Sequence, residues 1–162
     1  MNDSPAENFH SLLKKFDQGM LVTRSADGQI RSRPMQIAGC DADSDLWFVT
    51  TKETGKVTDI DNDSHVCVAL RDGRTFLSLS GKARVVTDQT KLDELWSEAW
   101  RVWFPDGKED PNLVLIHIDA TEGEYWDQSG LKGLKYLFKA GKAYLAGQRP
   151  ELDEESHSKV QL

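Results

Sequence analysis

A small antiparallel β-barrel with helices at its rim is the fold this sequence predicts, and three observations predict it. About six runs read as strands by length and composition. Asp27-Gly28 and Asp72-Gly73 each supply the positive φ that a tight hairpin turn wants. Helical periodicity appears only in stretches interspersed among those runs, so the whole is mainly β with peripheral helices.

Taken in order, residues 4–18 read as the first helix. Ser4 is its N-cap, Pro5 takes the first helical position and Glu7 completes a capping box. Phe9, Leu12, Leu13 and Phe16 form one stripe, and Gly19 is the expected terminator. Residues 20–25 and 29–40 then read as a hairpin. A turn over 41–45 leads to a strand over 46–51, and a short helix covers about 54–61. Strands over 64–71 and 75–86 follow. The longest helix is expected over about 88–103, with Leu92, Leu95, Trp96, Ala99, Trp100 and Trp103 on one side. Phe104-Pro105-Asp106-Gly107 stops it. Residues 113–126 form a long strand with Leu113, Leu115 and His117 on one face and Val114, Ile116 and Ile118 on the other. Residues 131–144 read as a helix built around Leu134, Leu137 and Phe138. The stretch 147–162 is acidic and weakly patterned, so the domain is drawn over 1–146 and the rest as a tail that is flexible or docks late.

The chain's 162 residues suit one domain with an ordinary core. A net charge of −7 argues against nucleic acid and against an anionic membrane surface as partners. No run approaches the ~20 apolar residues of a spanning helix, and residues 1–10 lack a basic-then-apolar signal pattern. A cytoplasmic protein is expected. Cys40 and Cys67 read as reduced thiols. The four histidines show no ligand spacing, so no metal site is expected. His65 and His117 read as structural.

Most of the functional information lies in two segments, Arg31-Ser32-Arg33-Pro34-Met35 and Phe48-Val49-Thr50-Thr51-Lys52-Glu53-Thr54-Gly55-Lys56. Each puts a cation and small hydrogen-bonding groups at the end of a strand-like run. Thr54-Gly55-Lys56 opens a helix, and a helix N-terminus with free N–H groups, a hydroxyl and a lysine is a good anion site. Together the segments suit a phosphate held at one end of an apolar, β-walled slot. Taken alone, Arg33 and Lys56 also read as solvated charges, Thr50 and Thr51 as β-formers, and the tryptophan face at 96, 100 and 103 as core or interface.

In order and spacing, these motifs resemble the pyridoxamine-phosphate-oxidase-like, FMN-binding split-barrel superfamily, and within it the general stress protein branch. The resemblance covers roughly residues 8–130. It rests on Arg33-Pro34-Met35, Phe48-Val49-Thr50 with Thr54-Gly55-Lys56, and Ser80-Gly81-Lys82-Ala83. Downstream it rests on Trp103-Phe104-Pro105-Asp106-Gly107 with Asp110-Pro111, and on Glu124-Tyr125-Trp126. It implies a six-stranded antiparallel split β-barrel of Greek-key type, homodimeric, with flavin in grooves between subunits. FMN is the implied cofactor, with FAD as the alternative. Arg33 and Lys56 would face its phosphate, while Thr50, Thr51, Thr54 and Gly55 would sit beside ribityl and phosphate oxygens. Backbone around Pro34, Met35 and Val49 would edge the ring system. Trp126 and Trp103 would come from the other subunit.

Two departures bear on substrate. The oxidases of this superfamily carry a lysine that would fall at Ala38, and an Arg-Leu-His-type segment where this chain has Gln128-Ser129-Gly130-Leu131-Lys132-Gly133. Both would contact pyridoxamine phosphate, so vitamin B6 oxidation is not expected. Four readings stay open: a flavin-dependent oxidoreductase of unknown substrate, a non-catalytic flavin-binding or sensing stress protein, a split barrel holding deazaflavin or haem, and a dimeric module with an empty groove. Arg33 with Lys56 favours a phosphorylated ligand, and the lack of an axial His or Cys arrangement disfavours haem.

Overall fold

The computed structural model describes residues 4–150 and 156–162. The chain runs α1 (Pro5–Leu13), β1 (Gln18–Arg24), β2 (Ile30–Cys40), β3 (Leu46–Thr51), α2 (Gly55–Asn62), β4 (His65–Asp72) and β5 (Thr75–Val86). It continues with α3 (Gln89–Leu95), two 3-10 turns over Glu98–Val102 and Gly107–Glu109, β6 (Leu113–Asp127), α4 (Gly130–Leu145) and β7 (His157–Gln161). Strands β3-β2-β1-β4-β5-β6 are neighbours in that order, and β6 returns to pair with β3. The result is the closed six-stranded antiparallel barrel that the sequence predicts, plus four helices. Among the described residues, no helix is long and apolar enough to cross a membrane.

The hairpins follow the turn chemistry, with Gly28 at φ +84° and Gly73 at φ +55°. Strand β6 is the longest and has two partners along most of its length. Residues 113–118 pair with β3, while 115–127 pair with β5. The register slips at Ser80 and Gly81, where Gly81 faces Ala120 but Ser80 faces Glu122. A Cβ on Gly81 would stand 2.3 Å from the Asp119 carbonyl oxygen, so this bulge admits only glycine without movement.

The two faces of β6 serve two cores. Ile116 and Ile118 join Phe9, Leu21, Phe48, Leu79 and Tyr125 inside the barrel. Leu113 and Leu115 lie in a second cluster with Trp47, Val49, Leu92 and Trp100, under α3 and the following 3-10 turn. This cluster absorbs most of the tryptophan face, with Trp96 set edge-on to Trp100 at 5.7 Å.

Two elements differ from expectation. Helix α1 keeps its capping box, with Ser4 N–H donating to Glu7 Oε2 at 2.7 Å. It ends at Leu13 rather than near residue 18, because Asp17 and Gln18 are already drawn into pairing with β2. Gly19 is therefore a strand residue, present because a Cβ there would reach 2.9 Å from Val68 Cγ1. The long helix expected over 88–103 breaks at Trp96, whose ψ of 136° is extended. Two short helical pieces form instead, and Leu92 and Trp100 bury against Trp47, Val49, Leu113 and Leu115 of β3 and β6. The acidic tail ends in β7, which pairs with residues 122–126 of β6. Helix α4 forms as expected, yet Leu131, Leu134, Leu137 and Phe138 stay exposed.

Phe9 is fully buried and lies against Gly123, where a Cβ would come within 2.6 Å of its ring. Phe9→Ala should cost about 3–5 kcal/mol of stability, read from urea denaturation with an unchanged m-value. A change below 1 kcal/mol would show that α1 is not part of the barrel core.

Candidate functional site

Strands β2 and β3 lie side by side, and the chain leaves β3 through Lys52 and Glu53 into α2. The hand-over brings three kinds of group to one cleft of about 420 Å³. Strand β2 contributes Pro34, Met35 and Gln36, β3 contributes Val49, Thr50 and Thr51, and the start of α2 contributes Thr54 and Lys56. Trp103 and Phe104 close one side from the 3-10 exit, and Gln18 another. The lining joins the apolar groups of Pro34, Met35, Val49, Trp103 and Phe104 to Gln18 and Gln36, while Lys56 and Thr54 lie at its α2 end.

Lys56 is the centre of the polar end. Its Nζ donates to Thr50 Oγ1 at 3.0 Å. Burial holds its pKa below the usual lysine value, and the positive field of Arg33 adds to that. Thr54 is the N-cap residue of α2, but its hydroxyl donates to the Thr51 carbonyl at 3.2 Å instead of capping. The N–H groups of Gly55 and Lys56 belong to the first turn, whose donors a helix leaves without internal partners. A Cβ on Gly55 would meet nothing within 4 Å, so that position is open rather than filled by the chain's own packing.

Thus the cleft gathers every residue singled out from sequence except Arg33, Gly55 and Trp126. Gly55 sits beside it in the α2 turn. Arg33 lies beneath the polar end, its NH1 donating to Thr23 Oγ1 at 2.6 Å and to the Leu21 carbonyl at 3.3 Å. Its NH2 pairs with Asp59 Oδ2 at 3.3 Å. Trp126 stacks on His157 with ring centroids 5.3 Å apart. It lines a neighbouring groove of about 470 Å³ with Met20 and Phe76, and that groove shares Gln18 and Pro34 with the cleft.

Sequence reasoning missed Gln18, Gln36, Phe104, Thr23 and Asp59. Gln18 was hidden by the overlong first helix. Asp59 and Thr23 carry no local signal, since each reads as an ordinary polar residue until the fold brings β1, β2 and α2 together.

Other titratable clusters lie elsewhere. His117 Nε2 meets Asp45 Oδ2 at 2.9 Å and its Nδ1 accepts from Arg84 Nε at 3.2 Å, both beside the Trp47 ring. A more open groove of about 660 Å³ crosses β1, β4 and β5 past Arg24, Asp63, His65 and Lys82. Asp63 and His65 are already paired there at 2.9 Å. Among the described residues lining the 420 Å³ cleft, none is His, Cys, Asp or Glu. The arrangement can bind and orient an elongated ligand with an anionic end and a flat apolar body, but it offers no carboxylate, imidazole or thiol for proton transfer.

The match to known proteins follows this geometry. The family model described as "Pyridoxamine 5'-phosphate oxidase like" matches residues 4–151. General stress protein 26 of Bacillus subtilis (strain 168) is 36% identical over 82 residues, covering 48% of this chain and 58% of that protein. The chain spans between 58% and 65% of the length of the curated relatives it matches. A putative general stress protein 26 from Jannaschia sp. CCS1 superimposes with a TM-score of 0.73 at 26% identity, covering 96% of this chain and 97% of that one. The general stress FMN/FAD binding protein from Xanthomonas citri gives a TM-score of 0.62 at 29% identity, covering 74% of this chain and 88% of that one.

Burial pushes the Cys40 thiol up to about 11, with Asp41, Asp43 and Asp45 adding to the effect. The thiolate is the reactive form, so Cys40 should resist alkylation in the native protein at pH 8 and react only as the pH nears that value. Mass spectrometry after iodoacetamide treatment reads this, and rapid labelling of Cys40 at pH 8 would contradict it.

Proposed function

The chain belongs to the pyridoxamine 5′-phosphate oxidase-like family, and on that premise we propose that it binds FMN in the 420 Å³ cleft and works as a flavin-dependent oxidoreductase of the general stress type, in the cytoplasm. The observation that carries this reading is the polar end of the cleft: Lys56, joined to the Thr50 hydroxyl, and Thr54 at the start of α2 lie with Thr51 beside the apolar groups of Pro34, Met35 and Val49. A phosphate dianion wants cations and N–H donors, and a flat ring wants the apolar wall. The donor chemistry therefore fits the group. FAD is the alternative.

In this site Lys56, Thr50, Thr54 and the α2 N-terminus would hold the phosphate and ribityl oxygens, with Arg33 adding charge from below. Pro34, Met35 and Val49 would set the plane of the ring, and Trp103, 59% exposed, would form its outer lip. Bound flavin supplies the electron-accepting chemistry, and the protein supplies binding, orientation and exclusion of water. The described lining carries no carboxylate, imidazole or thiol, which favours a second reading, a flavin-binding or sensing protein with little turnover. The same lining offers haem no axial imidazole or thiolate.

We also propose a homodimer that completes the site. Helix α4 turns Leu131, Leu134, Leu137 and Phe138 outward, and the barrel wall exposes Met20 and Phe76 beside Trp126. Apolar surfaces of this extent mark interfaces. Trp126 would then reach a flavin from the second copy. Light scattering should give a mass about twice the 18.2 kDa of one chain, and Phe138→Glu should lower it toward that single value. A wild-type mass near 18.2 kDa at micromolar concentration would refute this.

Lys56→Ala should remove about 1.5–3 kcal/mol of FMN binding, at least tenfold, and leave riboflavin nearly unaffected. Because the Lys56 pKa is lowered, this preference for FMN should fade on raising the pH before an ordinary lysine would deprotonate. Flavin fluorescence titration reads both, and equal losses for the two ligands would assign Lys56 to folding instead.

Pyridoxamine phosphate should not be oxidised. Its phosphate would need a second cationic clamp, since burying an unpaired dianion is prohibitive. Ala38 packs against the second apolar cluster, and Lys132 is committed to Asp127 Oδ2 at 3.1 Å. Anaerobic addition of pyridoxamine phosphate to the FMN-loaded protein should leave the flavin spectrum oxidised. Rapid bleaching, with pyridoxal phosphate formed, would make the chain a B6 oxidase after all.

A further inference from the structure

Under the polar end of the cleft lies a second layer of polar side chains that does not line it. Thr23 is 1% exposed and Asp59 is 4% exposed, and both meet Arg33. Thr23 projects inward from β1, diagonally across the hairpin from Arg33, which is paired opposite Leu21. Asp59 reaches them from α2, the helix whose first turn carries Lys56. The proton directions are fixed by chemistry. Arg33 NH1 donates to Thr23 Oγ1, and the Thr23 hydroxyl donates to Asp59 Oδ2 at 2.7 Å. The same Asp59 oxygen accepts from Arg33 NH2.

Arg33 cannot easily leave this arrangement. Its departure would strand a buried carboxylate without a counter-charge, which is strongly unfavourable. The guanidinium therefore keeps one place, with one edge occupied from below and its field still felt at Lys56. We propose that Thr23 and Asp59 are positioning residues for the phosphate end of the cleft: they hold Arg33 where its charge favours a phosphorylated over an unphosphorylated ligand. This rests on the FMN reading and deepens it. A seal across the barrel mouth would be the purely structural role of the same residues, and it makes no demand on ligand choice.

The test compares FMN and riboflavin affinities in Thr23→Val, which keeps shape and charge but removes the bridging hydroxyl, and in Thr23→Ser, which retains it. The ratio of the two dissociation constants is the readout, and thermal melts confirm folding. Thr23→Val should reduce the preference for FMN about fivefold, the scale of one weakened polar contact, and Thr23→Ser should restore it. In an Arg33→Met background, Thr23→Val should change the ratio no further. Asp59→Asn, similar in shape, should lower the ratio in the same Arg33-dependent way and serves if Thr23→Val does not fold. Failure of wild type to bind FMN, or an unchanged ratio in Lys56→Ala, would defeat the underlying reading and this inference with it. If both controls behave, an unchanged ratio in the folded Thr23→Val or Asp59→Asn protein overturns the inference alone. A loss that persists in Arg33→Met also overturns it, as does a raised ratio in Asp59→Asn, which would make Asp59 a mere counter-charge.

Discussion

The pairing of β6 with two strands at once is the constraint from which the rest of the molecule follows. Its first residues join β3 and most of its length joins β5, so this one strand converts an open sheet into a barrel. Closure removes the edges that β3 and β6 would otherwise expose. It also divides the apolar residues of the strand between the barrel interior and an outer cluster of Trp47, Trp100 and Leu92. The bulge at Gly81 lets the strand continue past the closure point, where its far end accepts β7. The second core in turn anchors the irregular segment after α3, which carries Trp103 and Phe104 to the mouth of the cleft.

Closure also fixes β3, and β3 determines the site. Its last residues, Val49 to Thr51, face the cleft, and the turn after them must start a helix at once. A helix begun there brings Lys56 back to the strand end, where its Nζ donates to Thr50 Oγ1. The apolar wall comes from β2, held in register by the hairpin with β1. No single element makes the cleft; the junction of three does.

The sequence was most informative where local rules and the fold agree. Asp27-Gly28, Asp72-Gly73 and the Ser4 capping box each act over a few residues, so hairpins and helix start were legible. Thr54-Gly55-Lys56 was legible as a helix start for the same reason, and α2 begins at Gly55 with Thr54 as its N-cap residue. The limits were equally physical. Helical spacing over 88–103 reads the same for two short helical pieces as for one long helix, so the break at Trp96 left no periodic signal. Strand β7 has little pattern of its own and is held by the edge of β6. Asp59 and Thr23 acquire meaning only from Arg33, which reaches them across the hairpin and from another element.

The charge balance connects fold to ligand. The chain is acidic, at −7, yet it places Lys56 half-buried and within the field of Arg33. Both circumstances disfavour the protonated amine, which is why its pKa falls. While Lys56 is protonated, the folded state therefore bears a cost that the unfolded chain does not. By linkage, stability rises with pH between the lowered native pKa and the ordinary lysine value, because the unfolded chain binds more protons there. Asp59 does not relieve the strain at Lys56, since its own carboxylate is taken up by Arg33 and Thr23. An anion in the cleft would relieve it, raising the Lys56 pKa as it binds. That rise in pKa and the affinity gained for a phosphorylated ligand in the proposed site would be one interaction seen from its two sides, since linkage makes them the same free energy.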